Sequence, residues 1–355
     1  MARARATARV TSANRPPSEN ESGVTFRIPM TNTRDLFQRK GSAIGWSVRQ
    51  RPGNFTAETF AGAGHPNAIM ILITGATGQI GRELIRQLIP TGAPLRAFVR
   101  QPARADLPAS VERVAGDFSE PTTFVPALRG VDHVFLLQNP NPALPAEQAQ
   151  WLEAARAAGV QHIVKLSALG AQPRSKARIA RLHGETEQQL EASGIGWTHL
   201  RPSFFMQNTL AFATTIAREG KFYAPTGAGA MGFVDVRDIA AVAAVTLTQP
   251  GHQGRTYTLT GPAALNHAQV AEIIGATIGR PVEFVDITAD QFKAGALRQG
   301  LAEWLADGLN ELYALVRAGY TGLVTADVQT VTGRPPRSFA EFARDHAATF
   351  QPRAA

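Results

Sequence analysis

The spacing of hydrophobic residues changes abruptly near residue 69. Residues 1–67 are rich in Arg, Ser, Thr, Pro, Gly and Asn and sustain neither a helical nor a strand period, which reads as disorder. Ile69 to Ile73 are five consecutive apolar residues, too few for a lone helix and suited to a strand buried on both faces. Ile80, Leu84, Ile85, Leu88 and Ile89 then recur at helical spacing until Pro90. Further strand-like runs lie at Pro94–Val99, Val111–Ala115, His133–Leu137, His162–Leu166 and Trp197–Leu200, with helical segments between them, the clearest from Ala146 to Gly159. This alternation predicts an α/β fold, a Rossmann-type doubly wound parallel sheet covered by helices on both faces.

Beyond Pro202 the alternation loosens. The pattern predicts a helix over Ser203–Arg218, a short strand at Gly232–Val234, an alanine-rich helix over Asp238–Leu247, and strands at Thr256–Leu259 and Val282–Val285. Asn266 with Gln269, and Ser338 with Glu341, have the spacing of capping boxes that open helices. The chain divides accordingly. Residues 1–69 are a disordered extension or over-extended start, 70–202 the dinucleotide-binding core, and 203–355 a smaller, mainly helical substrate lobe interleaved with that core.

The junction of first strand and first helix carries the chemistry. It reads Ile73-Thr74-Gly75-Ala76-Thr77-Gly78-Gln79-Ile80-Gly81. A strand, a glycine turn and a helix bring backbone N–H groups and a positive helix end to one point, which suits a pyrophosphate. Gly75 permits the tight turn, Gly78 lets backbone approach the phosphates, and Gly81 lets the helix lie close to the sheet. Gly75, Thr77, Gly78, Gln79, Ile80 and Gly81 are the expected contacts of a dinucleotide.

Composition narrows the options. The 355 residues are 44% hydrophobic, and no apolar run approaches the roughly 18 residues of a membrane span. Cysteine is absent, which excludes disulfides, thiolate metal sites and thiol catalysis and fits a cytoplasmic protein. No histidine cluster has metal-ligand spacing. The net charge of +8 is uneven: residues 1–69 hold ten basic and four acidic groups (+6), leaving +2 for the remainder. A nearly neutral remainder gives no support to a basic nucleic-acid-binding face. The first eighteen residues, with four arginines and no acid, resemble a transit peptide. Met70, directly before the first strand, makes a dispensable tail the simpler reading.

Candidate site residues follow from position. Arg100 closes the second strand about 20 residues past the glycine turn, where an acid would bind the ribose 2′-hydroxyl of NAD and a base suits a 2′-phosphate. With Arg104 nearby it argues for NADP(H) over NAD(H); otherwise it is a solvated arginine. Gly116-Asp117-Phe118 ends the third strand, where Asp117 could accept from the adenine amino group and Phe118 could flank the ring, unless Asp117 is an ordinary turn residue. Gln138 and Asn139 end the fourth strand, where backbone would pass beneath the riboses. Ser167 follows the fifth strand, at the place of the substrate-polarising hydroxyl of short-chain dehydrogenases.

Those enzymes carry Tyr-x-x-x-Lys on the next helix. Here Ile179 falls at the tyrosine position and His183 at the lysine position, so the pair is absent. His183 could bond a ribose or supply a proton, or be a surface histidine. Together with Leu182-His183-Gly184-Glu185-Thr186-Glu187, Leu200-Arg201-Pro202, Phe233-Val234-Asp235-Val236-Arg237-Asp238-Ile239-Ala240 and Gly333-Arg334-Pro335-Pro336-Arg337-Ser338-Phe339, the glycine loop makes residues 70–350 closely resemble the NmrA-like branch of atypical short-chain dehydrogenases. That family includes NADPH-dependent quinone and azo-dye reductases, and also sensors that bind dinucleotide without turnover.

The resemblance implies hydride transfer from NADPH to a quinone-like or azo small molecule. The alternative is a non-catalytic sensor with a protein partner. It also implies that Pro202, Phe204, Phe205 and Asn208 border the nicotinamide and substrate, although the two phenylalanines also suit simple packing. Asp235 and Asp238 are either a carboxylate pair or, more simply, helix-start caps. Trp304, Tyr313 and Tyr320 are expected in the lobe core. His183, Ser167 and Asn208 are the candidates for a catalytic role.

Overall fold

The computed structural model describes residues 69–352, and the readings made above for the N-terminal segment lie outside them. Strands β1 (Ile71–Thr74), β2 (Leu95–Val99), β3 (Val111–Ala115), β4 (His133–Leu136), β5 (His162–Leu166) and β6 (Gly196–Pro202) follow the predicted runs to within a few residues. After β7 (Lys221–Ala224), β8 (Arg255–Leu259) returns to the same sheet, and β9 (Glu283–Asp286) pairs with β7 outside it. The seven-stranded sheet has the order β3-β2-β1-β4-β5-β6-β8 with every pair parallel. Successive strands run outward from β1 in one direction and from β4 in the other. A crevice therefore opens at the C-terminal ends of β1 and β4, the place where such sheets bind ligands.

Twelve helices accompany the strands among the described residues: α1 (Gln79–Leu88), α2 (Phe124–Leu128), α3 (Leu144–Ala157), α4 (Arg178–Ala192), α5 (Ala213–Glu219), α6 (Val236–Thr248), α7 (His267–Ile278), α8 (Ala289–Arg298), α9 (Glu303–Arg317), α10 (Asp327–Thr332), α11 (Phe339–Asp345) and α12 (Ala347–Phe350). On one face of the sheet, Ile80, Leu84 and Leu88 of α1 and Ile239, Val242 and Ala243 of α6 pack with Ile71, Ile73 and Ala97. On the other, Phe124, Trp151, Leu152 and Leu190 from α2, α3 and α4 pack with Leu72, Val134 and Ile163. A third cluster joins Ile216, Phe222, Val270, Ile274, Val316 and Phe342 in the C-terminal half. Burying each such side chain is worth about 1.5–3 kcal/mol, and this surface, more than helix propensity, holds the layers together.

Both capping boxes form, Asn266 with Gln269 and Ser338 with Glu341. The expected helix over Ser203–Arg218 does not start at Ser203. Ser203 donates its N–H to the Leu259 carbonyl at 2.9 Å and Phe205 bridges to Val234, so the chain stays extended beside its neighbours. Met206–Phe212 then winds as a 3₁₀ helix before α5 begins. Gly232–Val234 contributes one side of that bridge rather than a strand. Tertiary hydrogen bonds have overridden local helix propensity there. Tyr320, expected in the core, is 67% exposed, while Tyr313 stacks on Phe204 with ring centroids 6.2 Å apart.

Candidate functional site

The crevice is assembled by the end of β1. Thr74 is fully buried, accepts the Leu137 N–H at 2.7 Å and donates its hydroxyl to the Leu137 carbonyl at 2.8 Å, latching the ends of β1 and β4 across the opening. Gly75 follows in the left-handed region (φ 62°), and a Cβ there would lie 2.6 Å from Leu137. At Gly81 a Cβ would lie 2.3 Å from the Gly75 carbonyl oxygen and 2.6 Å from the Ala76 Cα, so only glycine lets α1 start against the turn. Gly78 is the N-cap of α1; no side chain caps the helix and its first turn holds no acid. The positive helix end is left for an outside anion. Thr77, Gly78 and Gln79 are exposed at this rim, whereas Ile80 is buried in the core behind it. Arg82 braces the turn, donating from Nε to the Thr77 carbonyl at 3.0 Å and pairing with Asp106 at 3.1 Å.

Arg100 is exposed at the end of β2 and forms no ion pair among the described residues. Its charge helps hold the Asp117 carboxyl below its usual range, after the larger effect of hydrogen bonds from the Ser119 N–H and hydroxyl. Asp117 is thus also a turn residue, the simpler of its two readings. Phe118 is partly buried and meets Phe98 edge-on at 5.5 Å in a cluster with Trp151. Gln138 donates to Glu147 in the first turn of α3, to which Asn141 also donates, while Asn139 is exposed.

At the other end of the crevice, Ser167 is 4% exposed and its hydroxyl has no hydrogen-bond partner. His183 is not a surface histidine. It is 7% exposed, its Nδ1 is sealed without a partner, and burial, helped by the Lys165 charge, pushes its pKa down to about 3. The imidazole is therefore neutral at ordinary pH. Ile179, one turn earlier on α4, is buried, and a Cβ on Gly308 of α9 would lie 3.1 Å from its side chain. Pro202 is buried, Phe205 packs against the core of the α1 face, and Asn208 is exposed on the 3₁₀ segment. The neighbouring Gln207 takes the interior position, donating to Asp235 at 3.0 Å.

Asp235 and Asp238 are not a catalytic pair. Asp235 caps α6 and is paired with Arg237, while Asp238 accepts from the backbone and guanidinium of Arg337. Among the described residues no group of side chains could hold a metal ion, and no helix is long and apolar enough to cross a membrane.

The glycine loop, the uncapped helix end and the crevice at β1 and β4 agree with what comparison with known proteins finds. Residues 75–250 match a family model described as NAD(P)H-binding. The chain is 47% identical over 283 residues to an NAD(P)H azoreductase of Xenophilus azovorans, covering 79% of this chain and 99% of the relative. The chain belongs to the NmrA-like family of atypical short-chain reductases. A second relative, the (4-alkanoyl-5-oxo-2,5-dihydrofuran-3-yl)methyl phosphate reductase of Streptomyces griseus, is 38% identical over 80% of this chain and 100% of its own. The structure of an Escherichia coli NADPH-dependent quinone oxidoreductase complexed with NADPH superposes with a TM-score of 0.71 at 31% identity, over 78% of this chain and 99% of that one.

The crevice fits a dinucleotide: any side chain at Gly81 would collide with backbone, and the helix end beside it has no side-chain cap and no acid in its first turn. Sequence reasoning singled out none of three buried polar residues on or beside the strands that frame the crevice. Thr74 latches the crevice, Ser203 is 5% exposed with an unpartnered hydroxyl, and Lys165 is fully buried within β5. Only Lys165 left a signal in the sequence, a lysine inside a strand that must be covered on both faces.

Proposed function

We infer that this protein is an NADPH-dependent reductase of azo and quinone-like compounds, working by direct hydride transfer. When bound, the nicotinamide supplies the hydride; the chain binds, aligns and shields. Gly75, Thr77, Gly78, Gln79, Ile80 and Gly81 would hold the pyrophosphate, Arg100 the 2′-phosphate, and Asp117 with Phe118 the adenine side. Gln138, Asn139, Ser167, Pro202 and Phe205 would line the riboses and nicotinamide, with residues beyond 203 closing the acceptor side. The partner is a small-molecule acceptor.

The observation that carries this reading is Ile179, a buried apolar residue on α4 at the position where the resemblance to short-chain dehydrogenases would put the tyrosine. A ketone reduced by hydride leaves an alkoxide that needs a tuned acid at once. A quinone leaves a delocalised anion that can take its proton from water, and an apolar wall suits a flat acceptor. The likeness to azo and quinone reductases supports the same assignment. The test is NADPH consumption by purified protein with a quinone, an azo dye and a simple aldehyde. Turnover of the first two with little of the third is expected. NADPH binding without turnover of any would instead favour a sensor.

A further inference from the structure

Helix α4 begins without a cap of its own. Its N-cap residue, Ala177, has no side-chain oxygen to offer, and its first turn holds no acid. The N–H groups and positive charge of that helix end are therefore unanswered by local sequence. The answer comes from α9. Glu311 accepts the Arg178 N–H at Oε2 (2.7 Å) and the Arg178 Nε–H at Oε1 (2.9 Å), with Nη2 2.8 Å from the same Oε1. One carboxylate thus caps the helix and pairs with its first side chain, from 133 residues away in sequence.

More of α9 meets the same spot. Trp304, Asp307, Gly308 and Glu311 are spaced i, i+3, i+4 and i+7, a single stripe of the helix. The Arg178 guanidinium donates to the Trp304 carbonyl at 3.3 Å, lies 6.0 Å from the centre of its ring and reaches within 3.7 Å of Asp307. At Gly308 a Cβ would lie 3.1 Å from both Cγ1 and Cδ1 of Ile179 and 3.3 Å from the Arg178 Cδ. Glycine is among the poorest helix formers, yet here it stands inside a 15-residue helix. Its missing side chain permits close approach, so that α9 settles on α4 near enough for the Glu311 carboxylate to reach the helix end. Further along α9, Tyr313 stacks on Phe204 with the ring planes 18° apart. Helix α9 therefore touches two residues read above as bordering the acceptor, Ile179 on α4 and Phe204 after β6.

We propose that Glu311 is a positioning residue for the reduction: by capping α4 and holding Arg178 it fixes the place of Ile179 on the acceptor side of the crevice, and Gly308 sets the distance between the two helices. The inference rests on the azo and quinone reading above. It adds that the acceptor site is completed by a contact between the dinucleotide-binding core and the C-terminal lobe, through a carboxylate that acts on Ile179 only by way of Arg178. With that carboxylate removed, the first turn of α4 loses its cap and its tie to α9, and a frayed turn no longer holds Ile179 in one place. The acceptor then loses a fixed surface to lie against, in the ground state and the transition state alike, which raises KM more than it lowers kcat. The glycine loop between β1 and α1 shares no residue with this contact, so NADPH should be held as before.

Glu311→Ala should raise the KM for a naphthoquinone by about tenfold, with kcat within about threefold and the NADPH dissociation constant within about twofold of wild type. Glu311→Gln, which keeps an oxygen for the Arg178 N–H, should recover part of the loss. Gly308→Ala probes the same contact with the carboxylate in place, and remains readable if Glu311→Ala does not fold. Its methyl should displace Ile179 and raise KM by roughly threefold to tenfold. Adding Ile179→Val, which removes Cδ1, one of the two crowded atoms, should recover part of that. Carbon-13 NMR should show the Ile179 Cδ1 methyl signal moved in Glu311→Ala and in Gly308→Ala. An unmoved methyl signal, equal losses in NADPH and acceptor affinity, or no recovery with Ile179→Val would overturn the role given to Glu311. A wild-type protein that binds NADPH but oxidises it with neither naphthoquinone nor azo dye would defeat the reductase reading instead, and the methyl signal would still decide whether α9 fixes Ile179.

Discussion

Replacing Lys165 by methionine should make the protein more stable. The lysine is fully buried and its pKa is lowered from 10.5 to about 8 by desolvation. That gap corresponds to about 3 kcal/mol by which the interior disfavours the charged form. Methionine fills a similar volume, removes the charge, and gives up only one 3.4 Å hydrogen bond. Glu187 keeps its bidentate Arg201, so no second charge is stranded, although it loses some attraction. A gain of about 1–3 kcal/mol is expected at pH 7, with about 3 as the ceiling.

The sign depends on pH in a defined window. Below about 8 both folded and unfolded lysines are charged and the native state carries the full penalty. Between about 8 and 10.5 the unfolded chain alone stays protonated, so wild type gains stability as pH rises. The methionine advantage should therefore shrink between pH values of about 7 and 10, because other groups cancel in the difference. Urea unfolding of both proteins at the two pH values measures this. A methionine variant less stable at neutral pH, or an advantage indifferent to pH, would refute the reasoning.

Three other perturbations probe the site. Gly81→Ala puts a methyl 2.3 Å from a backbone oxygen, so it should cost about 1–3 kcal/mol of stability and weaken NADPH at least about tenfold; wild-type affinity by calorimetry would contradict the phosphate-loop assignment. Arg100→Ala should weaken NADPH by roughly tenfold at low salt and leave NADH nearly unchanged, and equal losses for both would remove Arg100 from the 2′-phosphate site. His183→Ala should reduce quinone turnover by under about tenfold, and a loss of about a thousandfold with cofactor affinity intact would make it a general acid for that reaction. Because the His183 pKa is pushed down to about 3, quinone turnover should show no His183 inflection between pH values of about 5 and 7.

The sequence by itself determined the parallel sheet and its dinucleotide loop. Each strand from β1 to β6 is a compact run bounded by turn residues, and period and punctuation are local properties of the chain. Gly78 and Gly81 were legible for the same reason, since what a Cβ there would meet is Gly75 and Ala76; the left-handed turn at Gly75 is local too, although the Leu137 side chain that crowds it is not. Arg100 could be placed at a strand end, although what it binds could not be read from its neighbours. Only tertiary structure decided the rest. His183 is polar and sits on a helix, so local pattern left it on the surface, yet α4 turns it onto β5 and β6. The extended Ser203–Phe205 segment is set by partners at Leu259 and Val234, distant in sequence, which local propensity cannot register. Lys165 of β5 and His183 of α4 are both buried by the packing of that helix on the sheet, and burial, which lowers the pKa of each, arises from that packing and from nothing in the residues alone.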